Sequence, residues 1–160
     1  MEGGLLVWAG ETLAFDAVRH RQLFAHFARS LAISTIADLQ RIGVDPAYPA
    51  DAVYHLAGSI DASASRDWDG GRGFRPIADF TGTFDGRGHT LCGLHIDRPG
   101  MENVGLFGQN SGIIVRLVLD QGSIRGGASV GGLVGSNIGW VEDCEANLRS
   151  EEHTSELQSR

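Results

Sequence analysis

Two stretches of this chain repeat one glycine-framed phrase at a distance of 27 residues. Gly105-Leu106-Phe107-Gly108-Gln109-Asn110-Ser111-Gly112 returns as Gly132-Leu133-Val134-Gly135-Ser136-Asn137-Ile138-Gly139. The apolar positions that follow also match: Ile114 with Val141, Leu117 with Cys144, Leu119 with Ala146. A looser copy lies upstream around Phe84, Leu91, Leu94 and Ile96, 23 residues before the next. A repeat of about 20–30 residues with strand-and-turn texture and no long helix marks a solenoid. One such unit cannot bury its own apolar face, so its neighbours must stack on it.

Equal columns then predict a core ladder of Phe84, Phe107 and Val134, and a second of Leu91, Ile114 and Val141. Asn110 and Asn137 share a column. Stacked Asn at a solenoid turn can hydrogen-bond along the axis and tolerate left-handed backbone. Gly86 and Gly88 are expected to take positive φ at a corner.

The chain divides into zones. Residues 1–32 carry Leu13, Ala17, Phe24, Phe27 and Leu31 at roughly helical spacing, which suggests an amphipathic helix. Residues 33–52 read as a capping helix and lead-in loop. Ser34-Thr35 offers an N-cap with Asp38 three residues after Thr35, Leu39 and Ile42 face one side, and Pro46 and Pro49 end the segment. Such a helix would cover the open end of the first rung. Residues 53–148 alternate short strands with glycine turns. Residues 149–160 have no glycine and no repeat phase, and they resemble the in-frame translation of a sequencing adapter. They are set aside from fold reasoning, and the solenoid is expected to be a fragment of a longer one.

Composition narrows the function classes. The chain has 23 Gly without a G-X-Y period, which excludes collagen. Its net charge of −7 with no basic patch argues against a nucleic-acid partner. No apolar run is long enough for a membrane-spanning helix. Leu5-Leu6-Val7-Trp8-Ala9 is short and follows no positive residues, so it does not read as a signal peptide. Cys92 and Cys144 fall in different columns, which argues against a bridge between them. Cys144 shares the column of Leu94 and Leu117 and reads as a small core hydrophobe, Cys92 as a half-exposed strand residue.

Three phrases together resemble the GLUG-motif family of bacterial surface proteins. They are Gly82-Thr83-Phe84-Asp85-Gly86-Arg87-Gly88-His89-Thr90-Leu91, Asn103-Val104-Gly105-Leu106-Phe107-Gly108 and Val130-Gly131-Gly132-Leu133-Val134-Gly135-Ser136-Asn137. The upstream runs Ile33–Gln40, Tyr54-His55-Leu56 and Ile60–Ser63 are similar to the start of those repeats. The resemblance covers roughly residues 33–148. It implies an all-β fold, a right-handed parallel β-helix with a short N-terminal helical cap, on a secreted or cell-surface protein. It brings no catalytic residue and no cofactor. Such repeats occur in filamentous-haemagglutinin-like adhesins and in the N-terminal regions of immunoglobulin-A-specific zinc metallopeptidases.

Chemistry-bearing residues are sparse. None of the six His is followed by Glu, so the H-E-x-x-H signature of a zincin is missing. Asp67-Trp68-Asp69-Gly70-Gly71-Arg72-Gly73 has spaced carboxylates before a glycine turn, but lacks the later Glu of a calcium loop and reads as a polar turn. Asp85, Asp97 and Asp120 are candidate acids for polysaccharide cleavage, though Asp85 and Asp97 also sit where turns favour Asp. By alternation Asp85, Arg87 and His89 could line one lateral face, able to hold an acidic sugar or simply be solvated. Trp140 aligns with Ile113 and either stacks on a sugar or packs.

Three function classes follow. The leading one is a non-enzymatic structural or adhesive segment of a large exported protein, whose partners are its own neighbouring rungs and host or matrix glycans and proteins. The others are an accessory module of a secreted metallopeptidase and a β-helical polysaccharide lyase or hydrolase.

Overall fold

The computed structural model describes residues 30–150. The expected helix over residues 1–32 falls almost wholly outside them. Its last helically spaced apolar position, Leu31, instead opens the strand β1 (Leu31–Ile33). The short helix α1 (Ile36–Arg41) follows, with Thr35 as N-cap and a capping box in which Thr35 and Asp38 each bond the other's backbone. Ile36, Leu39 and Ile42 enter the core. Gln40 bonds both the N–H and the C=O of Arg75, which ties the helix beneath the third wall of the solenoid. A six-residue helix has little stability of its own. Its cap and three buried side chains hold it in place.

The remaining elements are β2 (Val53–Leu56), β3 (Ile60–Asp61), a kinked 3-10 segment (Ser63–Gly71), β4 (Thr83–Asp85), β5 (Thr90–Cys92), β6 (His95–Val104), β7 (Phe107–Asn110), β8 (Ile113–Val115), β9 (Val118–Val130), β10 (Val134–Asn137), β11 (Trp140–Glu142) and β12 (Glu145–Ser150). They form a parallel β-helix of about three turns. One sheet is ordered β11-β8-β4-β2-β1, a second β12-β9-β5-β3 with β6 also on β9, and a third pairs β10 with β7. All strand pairs are parallel. The chain therefore passes from first sheet to second to third and back once per turn.

The 27-residue register of the two matching phrases is present as expected. Val134 pairs with Phe107, Asn137 with Asn110, Val141 with Ile114 and Ala146 with Leu119. The upstream alignment is different. Phe84 pairs with Ile114, and Leu91 with Leu119. Phe107 has Ile77 below it, not Phe84. The expected columns Phe84–Phe107–Val134 and Leu91–Ile114–Val141 are thus wrong at their first members. Phe84 and Phe107 do meet, edge to face with centroids 5.5 Å apart, but across the core from different sheets. Leu94 likewise leaves the column of Leu117, because the β5–β6 register puts it level with Gly122.

The core is the strip between the three sheets. Tyr54, Phe80, Phe84 and Phe107 are fully buried there and touch in sequence, with Phe80 and Phe107 only 4.9 Å apart. Each buried aromatic side chain removes about 150–250 Å² from water.

The corners rest less on glycine φ than the sequence suggests. Gly88 does take positive φ, but Gly86 does not; Arg87 takes it instead. At the next two passages of that corner the left-handed residues are Arg116 and Asp143. Gly86 is needed for space, since a Cβ there would run into the carbonyl oxygen of Arg116. The repeat glycines Gly105, Gly108, Gly112, Gly132, Gly135 and Gly139 are absent from the positive-φ set too. In one column a Cβ on Gly139 would strike Gly112, and a Cβ on Gly112 would strike Gly82. The glycine frame is a close-approach device that lets successive backbones stack at a bend.

Candidate functional site

The lateral face proposed from the sequence is partly broken up by the structure. Asp85 points outward from β4 yet its side chain is only 3% exposed, because Arg116 from the next turn lies over it. The guanidinium grips both carboxylate oxygens, with Nε to Oδ1 at 3.0 Å and a second bond from Nη2 to Oδ2. The backbone N–H of Arg87 donates to the same Oδ1 at 2.8 Å. The Asp85 carboxylate is thus held by a corner, as the local turn chemistry implied, and is not open to a ligand. Arg87 is exposed and His89 half-buried, both in the corner after β4. Trp140 stands on β11, on the far side of β8 from β4, roughly 9–10 Å away by strand spacing. It is half-exposed, and its indole N–H donates to Glu142 at 2.9 Å.

The three acids do not form a pair. Asp85 lies on the first sheet, Asp97 and Asp120 on the second. Asp97 is not a turn residue as expected; it sits within β6, opposite Arg125, with an ion pair at 3.4 Å. Asp120 is level with Cys92, several residues along β9 from the position level with Asp97. That separation is on the order of 15 Å, well beyond the roughly 5–9.5 Å between the carboxyls of glycosidases.

The polar loop Asp67–Gly73 performs a structural task. Asp69 accepts from Arg98 at 2.8 Å, and Arg98 also donates to the carbonyls of Gly73 and Phe74. Arg98 is 7% exposed, so this trio satisfies a buried cation. The bond from Arg98 holds the Asp69 carboxyl below the usual carboxylate range. Cys92 and Cys144 are both free thiols and half-buried, and burial pushes the Cys144 thiol up.

The asparagine column is confirmed as a hydrogen-bonded ladder. Asn110 Nδ2 donates to Asn137 Oδ1 at 2.8 Å along the axis. Each Asn oxygen also accepts from the glycine two residues on, Gly112 N–H at 3.0 Å and Gly139 N–H at 3.2 Å. The side chain thereby replaces a backbone partner and bends the chain from third sheet to first. Neither Asn takes positive φ.

Turning Asn110 and Asn137 inward leaves their neighbours facing out. Phe80 bridges to Asn110, and Gln109 pairs with Ser136. Two short columns therefore flank the ladder: Asp79–Gln109–Ser136 and Thr81–Ser111–Ile138. Together with Asn110 they line a groove of about 330 Å³. Sequence reading missed this site, because Asp79 and Thr81 lie outside the recognisable phrase and become its third row only through the 30-residue offset of the Phe80–Asn110 bridge.

The chain is 47% identical over 113 residues to Halomucin of Haloquadratum walsbyi. It is 33% identical over 104 residues to a Gly-rich membrane protein of Evansella cellulosilytica. These matches take in 68% and 59% of this chain but only 1% and 12% of the relatives. The chain thus corresponds to a small part of much longer proteins. No family model matches it, and no solved structure does.

Proposed function

We propose that this chain is a structural and adhesive β-solenoid segment of a large surface protein. The observation that carries the reading is the in-register stacking of similar turns, with two copies of one phrase paired in register. Such an architecture gives stiffness and lateral area in proportion to turn number. The similarity to small parts of two long proteins, one of them named a membrane protein, supports a place at the cell surface. The GLUG-type character of the repeats belongs to the same proposal. A non-enzymatic role is supported by the geometry of the acids: Asp85 is locked under Arg116, and Asp97 and Asp120 are far apart.

Antibody raised against the chain and applied to intact and to permeabilised source cells tests the reading. Labelling of intact cells at a level close to that of permeabilised ones is expected. Labelling only after permeabilisation would overturn it. Incubation with acidic polysaccharides is expected to release no unsaturated or reducing ends; their appearance would restore the lyase or hydrolase alternative.

A further inference from the structure

We infer that the groove at the third-to-first-sheet corner binds a neutral glycan chain lying along the solenoid axis. The inference rests on the adhesive reading above and names its ligand class and its site.

Four features converge. First, the groove is lined by a carboxylate, a carboxamide and three hydroxyls, from Asp79, Gln109, Thr81, Ser111 and Ser136. Among the described residues no hydrogen bond engages any of these five side chains, whereas Asn110 behind them is fully used by the backbone and by Asn137. Donors and acceptors of this kind, aimed outward and uncommitted, match the vicinal hydroxyls of a sugar. Second, the groups repeat by rung. Asp79, Gln109 and Ser136 stand one above another, as do Thr81, Ser111 and Ile138, at the strand spacing of about 4.8 Å. A ligand that meets such rows must itself carry hydroxyls at repeated intervals, so a chain fits better than a single small molecule. Third, Ile138 is 86% exposed at one end of the groove and offers an apolar contact for the C–H face of a ring. Fourth, Asp79 supplies the only formal charge in the lining. A lone carboxylate disfavours uronates and other anions and is too few ligands for a divalent cation.

This site is distinct from the face of Asp85, Arg87, His89 and Trp140, and it selects the opposite charge class. An Arg and His cluster would take an acidic sugar; the groove rejects one.

The test is a proton–nitrogen NMR titration of the full 160-residue chain with neutral hexasaccharides, a β-1,4-glucan, an α-1,4-glucan and an α-1,6-mannan, against a uronic-acid hexamer. At least one neutral hexamer is expected to shift the amides of residues 79–81, 109–111 and 136–138. Gln109→Ala combined with Ser136→Ala should weaken that binding about tenfold, the loss expected of two hydrogen bonds. Gln109 is exposed and Ser136 half-buried, and an unchanged melting temperature confirms that the pair of changes leaves the fold intact. Trp140→Ala should leave the affinity unchanged. The inference is overturned if no neutral hexamer moves those amides, if the uronate binds as well or better, or if the Gln109/Ser136 variant binds normally. Intact-cell labelling with no glycan response would sink the groove alone and leave the surface reading standing.

Discussion

The two copies of the glycine-framed phrase share five of eight residues and pair in one register, yet they do not contribute equally. In the copy at 105–119, Leu106, Phe107, Ile114, Leu117 and Leu119 are all fully buried. In the copy at 132–146, Leu133, Val134, Cys144 and Ala146 are only partly buried, and Val141 is 37% exposed. The inner copy has a strand on both sides of β8 and β9; among the described residues β11 and β12 are paired on one side only. The outer rung thus has smaller core side chains and one flanking rung instead of two, and both lower what it can bury.

Paired substitutions sharpen that contrast. Phe107→Ala should cost about 3–5 kcal/mol, since it empties the centre of the aromatic cluster. Val134→Ala, at the equivalent position, should cost about 1 kcal/mol or less, because it removes a smaller side chain that is only partly buried. Equal losses in denaturant midpoint would show that the outer rung is as packed as the inner one. Next in size is Gly112→Ala, whose new Cβ meets the Gly82 backbone with turns stacked above and below; about 1–3 kcal/mol is expected by thermal unfolding. Gly139→Ala creates the same clash against Gly112, but the outer strand can move away, so a loss smaller by at least half is expected. Asn110→Ala should then cost about 1–3 kcal/mol, as it strips the buried Gly112 N–H of its acceptor. Asn137→Ala, in an exposed turn, should cost about 1 kcal/mol or less by the same measurement. Smallest is Ile138→Ser, which should change stability by less than about 0.5 kcal/mol.

Much of this architecture is legible in the sequence where the repeat is regular. The 27-residue spacing correctly pairs Asn110 with Asn137 and Leu119 with Ala146, and the Thr35–Asp38 capping box marks α1. The reading fails where turn length changes. Phe84 and Phe107 look like equivalents because both are Phe before a glycine-rich turn. The true partner of Phe84 is Ile114, since the turn below is 30 residues long at that point. Corner conformation was also hidden. Arg87, Arg116 and Asp143 take positive φ at successive corners, and the side-chain chemistry of the two Arg does not signal it. The Asp85–Arg116 pair was invisible for a related reason: it links residues 31 apart, and only the correct register brings them together. The groove depends on the same register.

Amide hydrogen exchange across β8 and β11 tests the stacking account most directly. A parallel ladder sends alternate amides to opposite neighbours, so an inner strand should be protected throughout and an outer strand at alternate positions. Ile113, Ile114 and Val115 are predicted to exchange slowly together. Trp140, which donates to Gly112, should be slow, and Val141 fast. Uniform and equal protection of both strands, or rapid exchange at Ile113, would contradict the account.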